Sequence, residues 1–131
     1  MKKLILTDAA WKQKLSAEAY HVLRKKGTER AFTGQYHNCD EKGIYACAAC
    51  DHPLFSSVHK FDAGTGWPSF WAPISLQAVV LEEDFSLVLK RTEVTCACCG
   101  SHLGHVFPDG PPPAHERYCM NSIALKLIPR R

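Results

Sequence analysis

Cys47-Ala48-Ala49-Cys50 and Cys96-Ala97-Cys98-Cys99 are two matched Cys-x-x-Cys turns with 45 residues between them, in a chain of 131. Each turn aims two sulfurs at one point, and two such turns close a tetrahedral shell of four thiolates, the surroundings a structural zinc ion prefers. A spacer that long suits a metal tying two remote hairpins together better than a self-contained finger. All four sulfurs fill the shell, so the expected zinc, one per chain, is structural rather than catalytic. Three other readings compete. Cys47 and Cys50 can serve as a redox dithiol. Cys96, Cys99, His102 and His105 can form a Cys2His2 site, which would orphan the first pair. Cys98 can replace Cys96 as ligand, which leaves a one-residue gap unsuited to the turn.

Outward from the turns, the chain reads as mainly β with a helical N-terminus. Residues 43–47, GIYAC, form a short strand that leads into the first turn. Val79-Val80-Leu81, an acidic turn at 82–84 and Phe85-Ser86-Leu87-Val88-Leu89 read as a hairpin. Residues 122–127 alternate well enough to make a closing strand, and the proline-rich run 108–113 is a rigid loop outside any sheet interior. Before them, Thr7 or Asp8 can cap a first helix that buries Trp11 and Leu15. Ser16 can cap a second, with Ala19, Val22 and Leu23 on its apolar side and Gly27 as its stop.

Length and composition fit one domain spanning residues 1–131. The formal charge of +3 is too mild to argue for nucleic acid, and Arg24-Lys25-Lys26 reads as a solvated helix end. No run approaches the ~20 apolar residues of a membrane span. The opening MKKLILTDAA loses its apolar character at Asp8, too soon for an export signal. An odd number of cysteines then points to a reducing cytoplasm, where thiols serve metals and redox chemistry. Nothing demands more than a monomer.

Cys119 stands apart from the paired turns, two residues after Arg117 in RYCMNS. In an extended segment, Arg117, Cys119 and Asn121 share one face, while Tyr118 and Met120 share the other. The thiolate is the nucleophilic form of cysteine, and a fixed guanidinium favours it. A buried structural cysteine beside a surface arginine is the bland alternative. Two segments weigh against it. His102-Leu103-Gly104-His105 holds two imidazoles just past a zinc turn, suited to delivering a proton near neutral pH. Gly64-Thr65-Gly66-Trp67-Pro68 presents an indole on a glycine-flanked loop, suited to an apolar part of a ligand. Phe70 and Trp71, just beyond, read as core.

Taken in order, GTERAFTG (27–34), CAAC (47–50), KFDAGTGWPSF (60–70), RTEVTCACCGSHLGHVFPDG (91–110) and RYCMNS (117–122) resemble the B-type methionine sulfoxide reductases. The resemblance runs from about Trp11 to Leu127, and the motifs together are highly specific. It implies two small antiparallel sheets in a barrel-like arrangement with N-terminal helices outside. It implies reduction of the R epimer of methionine sulfoxide in proteins or peptides, with Cys119 as nucleophile and a sulfenic acid intermediate. Trp67 would lodge the substrate methyl group; His102, His105, Asp109, Arg117 and Asn121 would form the polar shell. Thioredoxin is the reductant that the resemblance implies. Many members carry a resolving cysteine where this chain has Thr65, which cannot form a disulfide. Cys39 is then the preferred resolving thiol, with direct reduction by an external thiol as the other route. Two rival readings compete: a zinc-dependent protein- or nucleic-acid-binding module, which leaves Cys119 and Trp67 unexplained, and a thiol–disulfide oxidoreductase acting through Cys47 and Cys50.

Overall fold

The computed structural model describes residues 3–84 and 91–130. Two helices open it, α1 (Asp8–Lys14) and α2 (Ala17–Lys25). Thr7 Oγ1 accepts from the Ala10 amide at 3.2 Å and Ser16 Oγ from the Ala19 amide at 3.1 Å, so each helix starts at the hydroxyl that can satisfy an orphan donor. α2 buries Ala19, Val22 and Leu23 and ends on Lys26, which takes the left-handed conformation one residue before Gly27. The basic cluster at that end is not wholly solvated. Arg24 donates to the Cys99 carbonyl at 2.9 Å and lies over the Trp11 ring, clamping both helices to the second cysteine turn.

The strands are β1 (Gly43–Cys47), β2 (Pro53–Ser56), β3 (Lys60–Phe61), β4 (Ser69–Phe70), β5 (Val79–Asp84), β6 (Arg91–Cys96), β7 (His102–Phe107), β8 (Arg117–Met120) and β9 (Leu125–Pro129). They form a three-stranded sheet, β2-β1-β9, and a six-stranded sheet, β3-β4-β8-β7-β6-β5, with every pairing antiparallel. Among the described residues the sheets are not closed into a barrel, and each keeps two edge strands. They meet through aromatic rings. Tyr45 and Phe55 of the small sheet pack on Phe70 of the large one, with ring centroids 5.2 and 4.5 Å apart, and Phe55 also touches Tyr118. Phe70 is fully buried, as its sequence context suggests, whereas Trp71 is only half-buried against His59.

Two strand expectations shift. The acidic residues 82–84 are not a turn: they continue β5, with Glu82 opposite Glu93 and Asp84 opposite Arg91. β5 is an edge strand whose Glu82 and Glu83 face water, a place where charge is tolerated and discourages further pairing. The expected return strand at 85–89 lies outside the described residues. The closing segment begins as a 3-10 turn, Ser122–Ala124, because Ser122 Oγ accepts from the Tyr36 amide and the Ala124 amide reaches back to Asn121. Only from Leu125 does it pair with β1.

Candidate functional site

The two cysteine turns have the same backbone. In the first, the Cys47 amide donates to the His52 carbonyl at 2.8 Å and the Asp51 amide to the Cys47 carbonyl at 2.8 Å. In the second, the Cys96 amide donates to the Ser101 carbonyl at 2.9 Å and the Gly100 amide to the Cys96 carbonyl at 2.8 Å. Both require a left-handed residue just past the second cysteine, Asp51 at φ 66° and Gly100 at φ 74°. The first turn follows β1 and the second follows β6, so the cluster joins the two sheets. The four sulfurs lie within 4.8 Å of one another, with Cys47 to Cys99 at 3.7 Å and Cys50 to Cys96 at 3.6 Å. A tetrahedron of sulfurs about 2.3 Å from a zinc ion has edges of roughly 3.8 Å, so the cluster can hold a metal of that kind. Cys98 stands outside this four-sulfur set, and His102 and His105 are engaged with carboxylates, so the geometry favours the four-cysteine grouping over its competitors.

Cys119 sits in the middle of the six-stranded sheet, opposite Ser69 on β4 and His105 on β7. Gly104 permits this close pairing: a Cβ there would come within 2.1 Å of the Cys119 carbonyl oxygen. As the alternation predicts, Tyr118 and Met120 are buried while Cys119 and Arg117 are only partly so. A cavity of about 290 Å³ opens over the sulfur, lined by Thr65, Trp67, His105, Arg117, Cys119 and Asn121 among others.

Each wall is held by a specific contact. The Trp67 indole donates to the Glu29 carbonyl at 3.0 Å, and the Glu29 amide donates to Asn121 Oδ1 at 3.0 Å. The Glu29 carboxylate accepts from the Ile123 amide at 2.9 Å, so residue 29 pins the tryptophan loop to the segment after β8. Asn121 also donates to the Leu103 carbonyl at 3.1 Å, so its amide ties the backbone at residue 29 to β7. Arg117 lies over the Phe107 ring and gives Nε and Nη2 to Asp109 at 2.9 and 3.2 Å. Asp109 itself is exposed and lies outside the cavity lining, so it reaches the site only through Arg117.

Burial raises the Cys119 thiol above its ordinary range, and the nearby Glu29 carboxylate adds to the rise; Arg117 and the Thr65 hydroxyl oppose it without cancelling it. The resting sulfur is therefore less ready to ionise than the sequence, read without burial or the Asp109 partnership, suggests. The two histidines part company. His105 lines the cavity and gives Nε2 to Asp84 at 2.9 Å. His102 is buried in the wall of a different cavity, of about 480 Å³, and bonds Glu93 through Nδ1 at 2.7 Å, while Lys26 Nζ lies 3.1 Å from the same carboxylate. Burial keeps His102 below the usual imidazole range despite Glu93. The rings still meet edge-on, with centroids 5.4 Å apart.

Cys39 lines a third cavity, about 240 Å³, with His37, Lys60 and Asp62, and shares no lining with Cys119. Sequence reasoning missed Thr28 and Arg91 as cavity walls, and Glu29, Asp84 and Glu93 as the residues that fix Trp67, His105 and His102. Glu29 and Glu93 stood inside GTERAFTG and RTEVTC, but nothing local shows which distant group they meet.

Fold and site define a two-sheet β protein with a four-cysteine cluster and one pocketed thiol. A family model described as SelR domain matches residues 15–129. The chain is 56% identical over 130 residues to "Peptide methionine sulfoxide reductase MsrB" of Pseudomonas syringae pv. syringae (strain B728a), covering 99% of each protein. It is 54% identical over 127 residues to the protein of that name from Agrobacterium fabrum (strain C58), covering 97% of this chain and 94% of the relative. A Methanosarcina mazei protein of the same name is 57% identical over 123 residues, 94% of this chain and 88% of the relative. The chain belongs to the MsrB family of peptide methionine sulfoxide reductases, and is an oxidoreductase. Among the described residues, no helix is long and apolar enough to cross a membrane.

Proposed function

We propose that this chain reduces the R epimer of methionine sulfoxide in polypeptides, with Cys119 as the nucleophile. The observation that carries the reading is the cavity itself: one thiol flanked by an anchored indole, an imidazole and a guanidinium, while four other thiols cluster elsewhere. The substrate's methyl group rests on Trp67. The Cys119 thiol gives up its proton and its sulfur attacks the sulfoxide sulfur, while His105 supplies a proton to the oxygen. The S–O bond breaks as an S–S bond to Cys119 forms, and the oxygen leaves as water. Water then attacks the Cys119 sulfur, the S–S bond breaks with its electron pair going to methionine, and Cys119 is left as a sulfenic acid. Arg117, steadied by Asp109, supports the sulfur as it becomes anionic, and Asn121 holds the cavity floor. His102 packs edge-on against His105 and keeps its ring in place.

A thiol then condenses with the sulfenic acid, releasing water and forming a disulfide that thioredoxin reduces. We assign that thiol to Cys39, on the loop before β1, which must move to bring its sulfur to bonding distance. Zinc, held by Cys47, Cys50, Cys96 and Cys99, joins the two sheets and takes no part in the step. The four-sulfur geometry supports that ion over a labile dithiol, and a reducing, cytoplasmic setting suits it. We take the chain to act as a single domain and a monomer.

The experiment is reduction of a peptide carrying both methionine sulfoxide epimers, with chiral analysis of the residue left. The S epimer should remain and the R epimer disappear. Equal loss of both, or loss of the S epimer alone, contradicts the reading.

A further inference from the structure

β5 exposes Glu82 and Glu83, but its last residue, Asp84, turns a carboxylate inward until the side chain is only 12% exposed. A carboxylate in that setting needs partners. Two of them share one oxygen: His105 Nε2 at 2.9 Å and Arg91 Nη2 at 3.3 Å, both on Oδ2. Both partners line the Cys119 cavity, while Asp84 lies outside that lining.

We propose that Asp84 is a positioning residue for sulfoxide reduction, its carboxylate setting the tautomer and orientation of the His105 imidazole that stands beside Cys119. An ionised carboxylate only accepts hydrogen bonds, so His105 must carry a proton on Nε2 to meet it. Nδ1 is then the ring nitrogen left to serve a ligand in the cavity. When Nδ1 also holds the proton to be delivered, the ring is a cation and the carboxylate beside it steadies that form, as the buried aspartate does for the histidine of a serine protease. Arg91 shares the load on Asp84 and fixes the carboxylate from the cavity side. Glu93, which faces His105 across the β6–β7 register, is engaged with His102 and Lys26. From β8, the Arg117 guanidinium is held by Asp109. Among the described residues, Asp84 is thus an acidic group bonded directly to this ring.

The inference rests on His105 being the proton donor, and the test separates the two ideas. Asp84→Asn keeps an acceptor oxygen but removes the charge; Asp84→Ala removes both. Each is made in the full zinc-loaded chain, and N-acetyl-methionine R-sulfoxide amide is reduced with excess dithiothreitol. We expect kcat to fall about tenfold in Asp84→Asn and about 100-fold in Asp84→Ala, with KM within about twofold of wild type. Long-range nitrogen–proton spectra should show His105 protonated at Nε2 in wild type and a tautomer mixture in Asp84→Ala. In a His105→Ala background, Asp84→Ala should cost nothing further. Independent, multiplying losses, or an unchanged tautomer with wild-type kcat, overturn the role of Asp84. A His105→Ala enzyme with wild-type kcat overturns the donor assignment and the inference together. If Asp84→Ala does not fold, the isosteric Asn variant carries the kcat and cycle measurements.

Discussion

Five of the seven cysteines divide between two centres on one frame, and their surroundings differ in kind. The four sulfurs of the turns crowd to 3.6–3.7 Å in pairs, and each turn is held by its own backbone bonds. Apart from Arg117 two residues before it, Cys119 is surrounded by groups distant in sequence. Its neighbours come from β4, β7, the tryptophan loop and the segment around Glu29, and its ionisation is a contest between burial and a guanidinium already shared with Asp109. The lesson is that spacing specifies the four-cysteine cluster, while tertiary packing specifies the pocketed thiol.

The strongest way to break that contrast is to disturb the cluster. Cys99→Ser should lose the metal and unfold at ordinary temperatures. Structural zinc contributes roughly 10–16 kcal/mol of binding energy to folding, against a typical domain stability of ~5–15 kcal/mol. Metal analysis and thermal melts check this; folded, active protein without metal would show that the cluster is not the staple.

A smaller effect is expected at Arg117. The guanidinium lowers the pKa of a thiol that burial raises, so Arg117→Ala removes the lowering influence and the pKa rises further. The rate of iodoacetamide alkylation of Cys119 should then turn on at higher pH than in wild type. An identical profile would leave Arg117 to packing on Phe107 and orientation of substrate.

Smallest is the effect expected at Cys39 on the first turnover, which should proceed at the wild-type rate in Cys39→Ser. What changes is the product: peptide mapping after one turnover without reductant should find a Cys39–Cys119 disulfide in wild type and a trappable sulfenic acid in the variant. A trappable sulfenic acid in both, with normal thioredoxin-driven cycling of Cys39→Ser, makes external reduction the route.

The same contrast explains what could be read from the chain. The cysteine spacing, the capping hydroxyls of Thr7 and Ser16, the strand before Cys47 and the in-out alternation around Cys119 are local signals, and the fold keeps all of them. Residues 82–84 misled because charges that suit a turn also suit an edge strand. Arg24 misled because a helix-end cation and a clamp on the second cysteine turn look alike until the turn is docked. Burial above Cys119, the pairing of Arg117 with Asp109 and the carboxylate partners of the two histidines arise only when strands distant in sequence align. His102 and His105 look equivalent in HLGH, yet only His105 lines the Cys119 cavity.

If one sulfur does the chemistry and four hold the fold, Cys119 can be changed without touching the staple. Cys119→Ser tests this most directly, by measuring zinc content, melting temperature and R-sulfoxide reduction on the same preparation. We predict one zinc per chain, a wild-type melt and no measurable reduction, because a serine hydroxyl is a far weaker nucleophile at neutral pH. Activity within about tenfold of wild type, or loss of the metal along with the thiol, would contradict it.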